Sequence, residues 1–178
     1  MKKILQQKEK VLRKIAHEVR VVDIKTKKIQ SILREMSEAL RSQNDGVAIA
    51  APQIGYSLRI FVVSGKIFAE NFGKAPDPDL PPVKQKLNKD LIFINPKISK
   101  LSREKDWVPE GCLSVRWLYG KTFRSTKATV TAYDEKGKKF TRGASGLLAQ
   151  IFQHETDHLN GILFIDNAKD VKEELPSK

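Results

Sequence analysis

The chain has 178 residues, 40% hydrophobic and 30% charged, a size and balance that fit one soluble domain with a buried core. No apolar run approaches the ~20 residues of a membrane span, and the start Met1–Lys8 is basic without the apolar stretch of a secretory signal. A cytoplasmic, single catalytic domain spanning 1–178 is expected, with no membrane contact.

The formal net charge is +12, which favours loose attraction to polyanions, including RNA-rich particles. The lysines are dispersed and show no aromatic interleaving in the sequence, so specific DNA binding is not expected. One cysteine, Cys112, rules out an intramolecular disulfide.

Residues 1–22 read as an irregular or partly helical segment wrapping the core, with His17 lacking any ligand-spaced partner. From Thr26 to about Ser42, Ile29, Ile32, Leu33, Met36 and Leu40 follow helical spacing. Next, Asp45–Gly55 is a strip of small apolar residues punctuated by Gly46, Pro52 and Gly55. Small side chains there let another backbone approach, and Gln53 is the one polar side chain in the strip. Leu58–Ser64 reads as a strand. The prolines between 66 and 90 mark a surface loop or insertion. Leu91–Ile94 is a further strand, broken at Asn95-Pro96, and Ile98–Leu101 is expected to continue the sheet. Gly111 is expected to allow an unusual backbone geometry beside Cys112. A hairpin follows, Ala128–Tyr133 returning through Asp134-Glu135-Lys136-Gly137 into Lys139–Thr141. Residues 167–178 are expected to form a frayed tail.

The densest chemistry lies at Gln153-His154-Glu155-Thr156-Asp157-His158. On a helix, the two histidines of H-E-x-x-H share one face and can bind one metal ion, with Glu155 placed to handle the proton of a bound water. Only three histidines are present, so composition alone would give this pattern in roughly one of 300 such chains. Leu147, Ile151, His154 and His158 form one helical stripe, Ser145 is the expected N-cap, and Gly161 supplies a left-handed stop. The metal face therefore continues into an apolar face, and Ile162–Ile165 reads as a β-prone run. Beside a two-histidine site still lacking its third ligand, the lone Cys112 gains weight over its ordinary reading as a small buried hydrophobe.

Together, Gly46-Val47-Ala48-Ile49-Ala50-Ala51-Pro52-Gln53, Glu110-Gly111-Cys112-Leu113-Ser114 and Gln153–His158 resemble the three signature motifs of the peptide deformylases, in that family's order. The resemblance implies an α+β fold with antiparallel β-sheets packed around a central metal-binding helix. It also implies removal of the N-formyl group from the formylmethionine of nascent polypeptides, releasing formate. By similarity, Cys112, His154 and His158 bind one divalent metal, Fe2+ foremost, with Zn2+, Ni2+ or Co2+ as other occupants. Bound hydroxide would attack the formyl carbon, Glu155 would act as general base and acid, and Gln53 with the Leu113 N–H would hold the oxyanion. Gly46, Val47, Ala48, Gly111, Leu147 and Ile151 are the implied substrate contacts, and Glu110 with Arg124 the supporting ion pair. The partners implied are N-formylmethionyl nascent peptides, with transient ribosome association through the basic surface.

The chain departs from the family pattern at Ala48, where a second glycine is usual, and at Arg116, where a proline is frequent. Tyr119 stands where some members carry arginine, and the polar Gln150 lies beside the methionine pocket. None of these removes a ligand or the base, so activity is expected. Two other classes remain open on sequence grounds: an H-E-x-x-H metallopeptidase, and a non-catalytic basic protein with a structural metal that binds RNA or ribosomes.

Overall fold

The structure, a computed structural model, describes residues 2–69, 72–73 and 88–175. Helix α1 spans Lys27–Arg41 and opens on Thr26, whose hydroxyl accepts the Ile29 N–H; this satisfies one of the donors that every helix start leaves over. The strands are β1 Ala48–Ala50, β2 Ile60–Val63, β3 Leu91–Leu101, β4 Lys105–Gly111, β5 Leu118–Ser125, β6 Lys127–Tyr133, β7 Lys139–Ser145 and β8 Lys169–Glu173, with helix α2 at Gly146–Leu159 between the last two. They form an antiparallel five-stranded sheet in the order β1-β2-β3-β6-β7 and a three-stranded sheet β4-β5-β8. No helix among the described residues is long and apolar enough to cross a membrane.

Side-chain alternation explains why β1, β2 and the first half of β3 read as continuous apolar runs. Ile49, Ile60, Val62 and Ile94 face α1 and pack on Ile32, Leu33, Met36 and Leu40. Their neighbours Ala48, Ala50, Phe61, Val63 and Phe93 face the other way, onto Ala149, Ile151 and Phe152 of α2. A strand buried on both faces keeps no polar positions. Phe61 and Phe93 stack with centroids 4.5 Å apart, and Phe152 meets Phe93 nearly edge-on at 5.1 Å. The expected architecture is thus present, with α2 between the two sheets.

The sequence expectation of a break at Asn95-Pro96 becomes a bulge within a continuous β3. Asn95 takes φ +50, a left-handed conformation that asparagine tolerates better than most residues. Its buried amide accepts from the Val19 N–H at 2.8 Å and donates to the Val19 carbonyl at 2.7 Å, pinning the N-terminal strap to the sheet. The same strap is held by Leu5 N–H on the Gln53 carbonyl and Ala16 N–H on the Leu159 carbonyl. His17 is an exposed residue within it.

Three local expectations are corrected. Ser145 does precede α2, but its hydroxyl makes no capping bond, because β7 runs straight into the helix through Gly146 at φ +56. Gly161 ends the helix as expected, at φ +75. The β-prone Ile162–Ile165 forms no strand; Phe164–Asp166 is a 3-10 turn whose Phe164 packs with Leu163, Leu12 and Val115 in a small separate cluster. The tail expected to fray from 167 supplies β8, paired with β5 from Leu118↔Glu173 to Lys121↔Lys169, while 176–178 fall outside the described residues. Most of the expected 66–90 insertion also lies outside them.

Replacing Asn95 by alanine leaves the buried Val19 N–H and carbonyl without partners, each costing about 1–3 kcal/mol. Asn95→Ala is expected to lower unfolding free energy by about 2 kcal/mol or more in a urea titration; an unchanged midpoint would show that the strap does not depend on this clamp.

Candidate metal centre

Helix α2 carries His154 and His158 one turn apart, so both rings leave the same face; their centroids are 4.9 Å apart. Cys112 comes from the end of β4, where the chain turns across that face. Its Sγ lies 3.2 Å from His158 Nε2, and one ligand atom each from Cys112, His154 and His158 all fall within 4.8 Å of one another. Bonds of about 2.3 Å to sulfur and about 2.0 Å to nitrogen place donor atoms roughly 3.5 Å apart around a tetrahedral ion. Small side-chain rotations suffice to meet that spacing, and thiolate with imidazole suits iron or zinc alike. The donor set fits a single divalent ion.

The charge state of the ring nitrogens points the same way. Burial drives His158 well below the ordinary imidazole value, so it stays neutral as a ligand must. His154 is less completely buried, and hydrogen bonding to Cys112 and Glu110 outweighs its desolvation and draws it well above normal. What attracts a proton there attracts a metal cation too.

Glu110, next to last in β4 and only 6% exposed, organises the surroundings. One carboxylate oxygen sits 2.7 Å from His154 Nδ1 and accepts from Arg124 Nη2 at 2.6 Å. The other accepts from Thr122 Oγ1 at 2.7 Å, Arg124 Nε at 3.1 Å and Gln150 Nε2 at 3.2 Å. Burial alone would raise this carboxyl, but His154 and Arg124 hold it well below the usual carboxylate range. Arg124 reaches onward to Asp157 at 2.6 Å. With Nδ1 engaged by Glu110, His154 presents Nε2 to the cluster.

Glu155 is 3% exposed, and one of its oxygens, Oε2, has no hydrogen-bond partner among the described residues. Burial pushes its carboxyl up to about 7. Gln53, also buried, has its orientation fixed by its own backbone: Oε1 accepts the Ala50 N–H at 2.7 Å, which turns Nε2 toward Ser114 Oγ at 3.1 Å and Cys112 Sγ at 3.6 Å. No acceptor for the Leu113 N–H is found among the described residues.

These groups open on a cleft of about 290 Å³. Gly46, Val47 and Ala48 form one wall, Gly111, Cys112 and Leu113 another, and Leu147, Gln150 and Ile151 a third, with His154 and Glu155 at the base. Every residue singled out as a substrate contact in the sequence borders this cleft. Gly111 has no unusual backbone; a Cβ there would lie 2.7 Å from the Tyr119 ring, so close approach, not conformation, requires the glycine. Gln150, the polar residue expected beside the methionine pocket, spends its amide nitrogen on the Pro109 carbonyl at 2.8 Å and on Glu110. Arg116 pairs with Asp45 and donates to Gln43 Oε1 at 2.8 Å, tying the 112–118 turn to the segment after α1. Sequence spacing gave no hint of this strut, of Asp157 on Arg124, or of Ser114 on Gln53.

A family profile described as polypeptide deformylase matches residues 1–174. The chain belongs to the polypeptide deformylase family. It is 38% identical to peptide deformylase 2 of Clostridium acetobutylicum over 93% of its own length and 94% of that protein's. Among solved structures, it resembles a peptide deformylase from Legionella pneumophila at 35% identity and TM-score 0.76, covering 96% of this chain and 87% of that one. A class I type b peptide deformylase from Acinetobacter baumannii, solved with Met-Ala-Ser bound, matches at 29% identity and TM-score 0.78, covering 94% and 98%. The chain is thus an enzyme of the deformylase type, from a metal-dependent family, and the metallopeptidase and non-catalytic readings lose their support.

Carboxylates that orient metal-binding histidines typically contribute 10–100-fold to metal affinity. Glu110→Gln in this deformylase is therefore expected to weaken binding of nickel or cobalt by about that factor in chelator competition. Equal affinity in the two proteins would remove Glu110 from that role.

Proposed function

We propose that the chain, as one catalytic domain over 1–178, removes the formyl group from N-formylmethionyl nascent peptides, with Cys112, His154 and His158 holding ferrous iron. Zinc, nickel or cobalt fit the same donors. The observation that carries the reading is the three-residue cluster with Glu155 beside it, at the base of a cleft bordered by an open sheet edge. The metal, when bound, supplies Lewis acidity to the attacking water and the formyl carbonyl.

The protein's own groups account for the remaining steps. Glu155, poised near neutrality by burial, takes the proton of the attacking water and returns it to the departing methionine nitrogen. Gln53 Nε2 and the Leu113 N–H donate to the carbonyl oxygen as charge builds on it. Glu110, locked by Arg124 and Thr122, keeps His154 in one orientation. Water in place of a peptide amine as the final acceptor of the formyl group releases formate.

Substrate binding follows from β1. This strand ends the five-stranded sheet, and the Ser64 N–H donates to the Val47 carbonyl, which places Val47's polar groups on the β2 side. By alternation the Ala48 N–H and carbonyl face the cleft. A peptide can add there as a strand, recognised by its backbone, with the methionine side chain toward Leu147 and Ile151. That mode suits an enzyme whose substrates share only their first residue. The Acinetobacter relative holds Met-Ala-Ser, the peptide that formyl-Met-Ala-Ser leaves after deformylation.

Protein purified without oxygen and loaded with ferrous iron or nickel is expected to release formate from formyl-Met-Ala-Ser. Glu155→Ala should lower kcat by about 10²–10⁴-fold with metal content retained. Absence of formate from the intact loaded protein, or cleavage of an unformylated peptide instead, overturns the assignment. Gln53→Ala is expected to cost about 10²–10³ in kcat with little change in KM; a loss confined to KM would make Gln53 a ground-state contact only.

A further inference from the structure

The outer face of the three-stranded sheet carries a feature unrelated to the metal. Trp107 and Phe123 are register partners on β4 and β5, with centroids 5.2 Å apart, and remain 39% and 52% exposed. Three lysines surround them. Lys169 Nζ lies 4.5 Å from the Trp107 ring centroid and Lys105 Nζ 5.7 Å from that of Phe123. Lys121, with Lys169 and Asp170, lines a groove against Trp107. Asp170, the one carboxylate of that groove, sits 3.8 Å from Lys121 in a loose, solvent-exposed pair.

We infer that this face binds single-stranded RNA, with bases stacking on Trp107 and Phe123 and phosphates taken by Lys105, Lys121 and Lys169. Exposed aromatic faces ringed by ammonium groups on a β-sheet match the stacking platforms that bind single strands without sequence preference. Duplexes, whose bases are already stacked, gain nothing from the rings. The ammonium groups now over the rings sit on long flexible stems, and entry of a base frees them to follow the phosphates. A solvated face covering its aromatics with lysine stems would need no partner, and the experiment separates the two.

Position supports a partner. Trp107, Pro109 and Gly111 alternate along β4 and pair with Phe123, Lys121 and Tyr119; Pro109, Gly111 and Tyr119 border the catalytic cleft. The face therefore leads to the cleft mouth. The choice of RNA rests on the proposed function, since a nascent chain emerges from an RNA-rich particle, whereas the stacking argument does not.

The test is fluorescence anisotropy of a short labelled oligouridine against the metal-loaded, full-length protein. Trp107→Ala with Phe123→Ala is expected to weaken binding by about tenfold or more. Lys105→Ala, Lys121→Ala and Lys169→Ala together should flatten the plot of log affinity against log salt by about two. Should the aromatic variant fail the circular-dichroism check of folding, the lysine variant decides through that slope. Undiminished binding by folded aromatic variants, an unchanged slope, or equal affinity for heparin or duplex RNA would reduce the face to a generic basic surface and overturn the inference. Formate release from formyl-Met-Ala-Ser, read in parallel, should stay unchanged in every variant, so loss of RNA binding and failure of the deformylase assignment are distinguishable.

Discussion

A carboxylate taken out of water costs several kcal/mol unless it is surrounded by donors, and Glu110 meets that condition through His154, Arg124, Thr122 and Gln150. Those donors come from β5 and α2, while Glu110 itself belongs to β4. The demand for saturation therefore fixes the small sheet against the helix. Cys112 is two residues beyond Glu110, so the same demand delivers the thiol to the two histidines. Breaking the Arg124 pair would leave a buried charge behind, which in other proteins costs about 3–5 kcal/mol. The ion pair is thus a positional device first; any net stability it adds is secondary.

The parts of this arrangement differed greatly in how visible they were in the sequence. Helix α1 stood out because it buries one stripe that recurs at helical spacing, and α2 because its two histidines share a stripe with Leu147 and Ile151, although the helix is buried on more than that face. Strands β2 and β3 were legible as apolar runs and β1 only as part of a small apolar strip, while their two-faced burial between α1 and α2 required the fold. Strand β4 was hidden because Lys105, Asp106, Trp107 and Pro109 are all exposed and leave no alternation to read. Strand β8 was hidden more thoroughly, being an edge of wholly exposed residues. Such strands are held by backbone pairing, on which side-chain pattern is silent.

Site residues follow the same logic. His154, Glu155 and His158 come from one helix, where spacing translates directly into geometry. Cys112, Gln53 and Glu110 arrive from separate elements; the missing third ligand already pointed to Cys112, and only the family resemblance suggested the other two. The Ser114–Gln53 contact and the Arg116–Asp45 strut had no signal, since neither residue pair is close in sequence. Lysines 105, 121 and 169 looked dispersed for that reason as well; strand pairing collects them around Trp107 and Phe123, giving in three dimensions the aromatic interleaving that is missing from the linear chain.

The open edge of β1 poses a problem that the fold resolves by geometry. Unpaired strand edges recruit other strands, including those of neighbouring copies. Here the strand is only three residues long, lies against α2, and has the Ala50 N–H already taken by Gln53. What remains is the pair of polar groups on Ala48, which face the cleft. The methyl of Ala48 is buried with Ala50, Phe61 and Ile151, so it fills the space between β1 and α2 and leaves the edge itself clear. An added methyl at this position therefore tightens the floor under the methionine pocket, and its influence should fall on the size of the side chain accepted more than on backbone recognition.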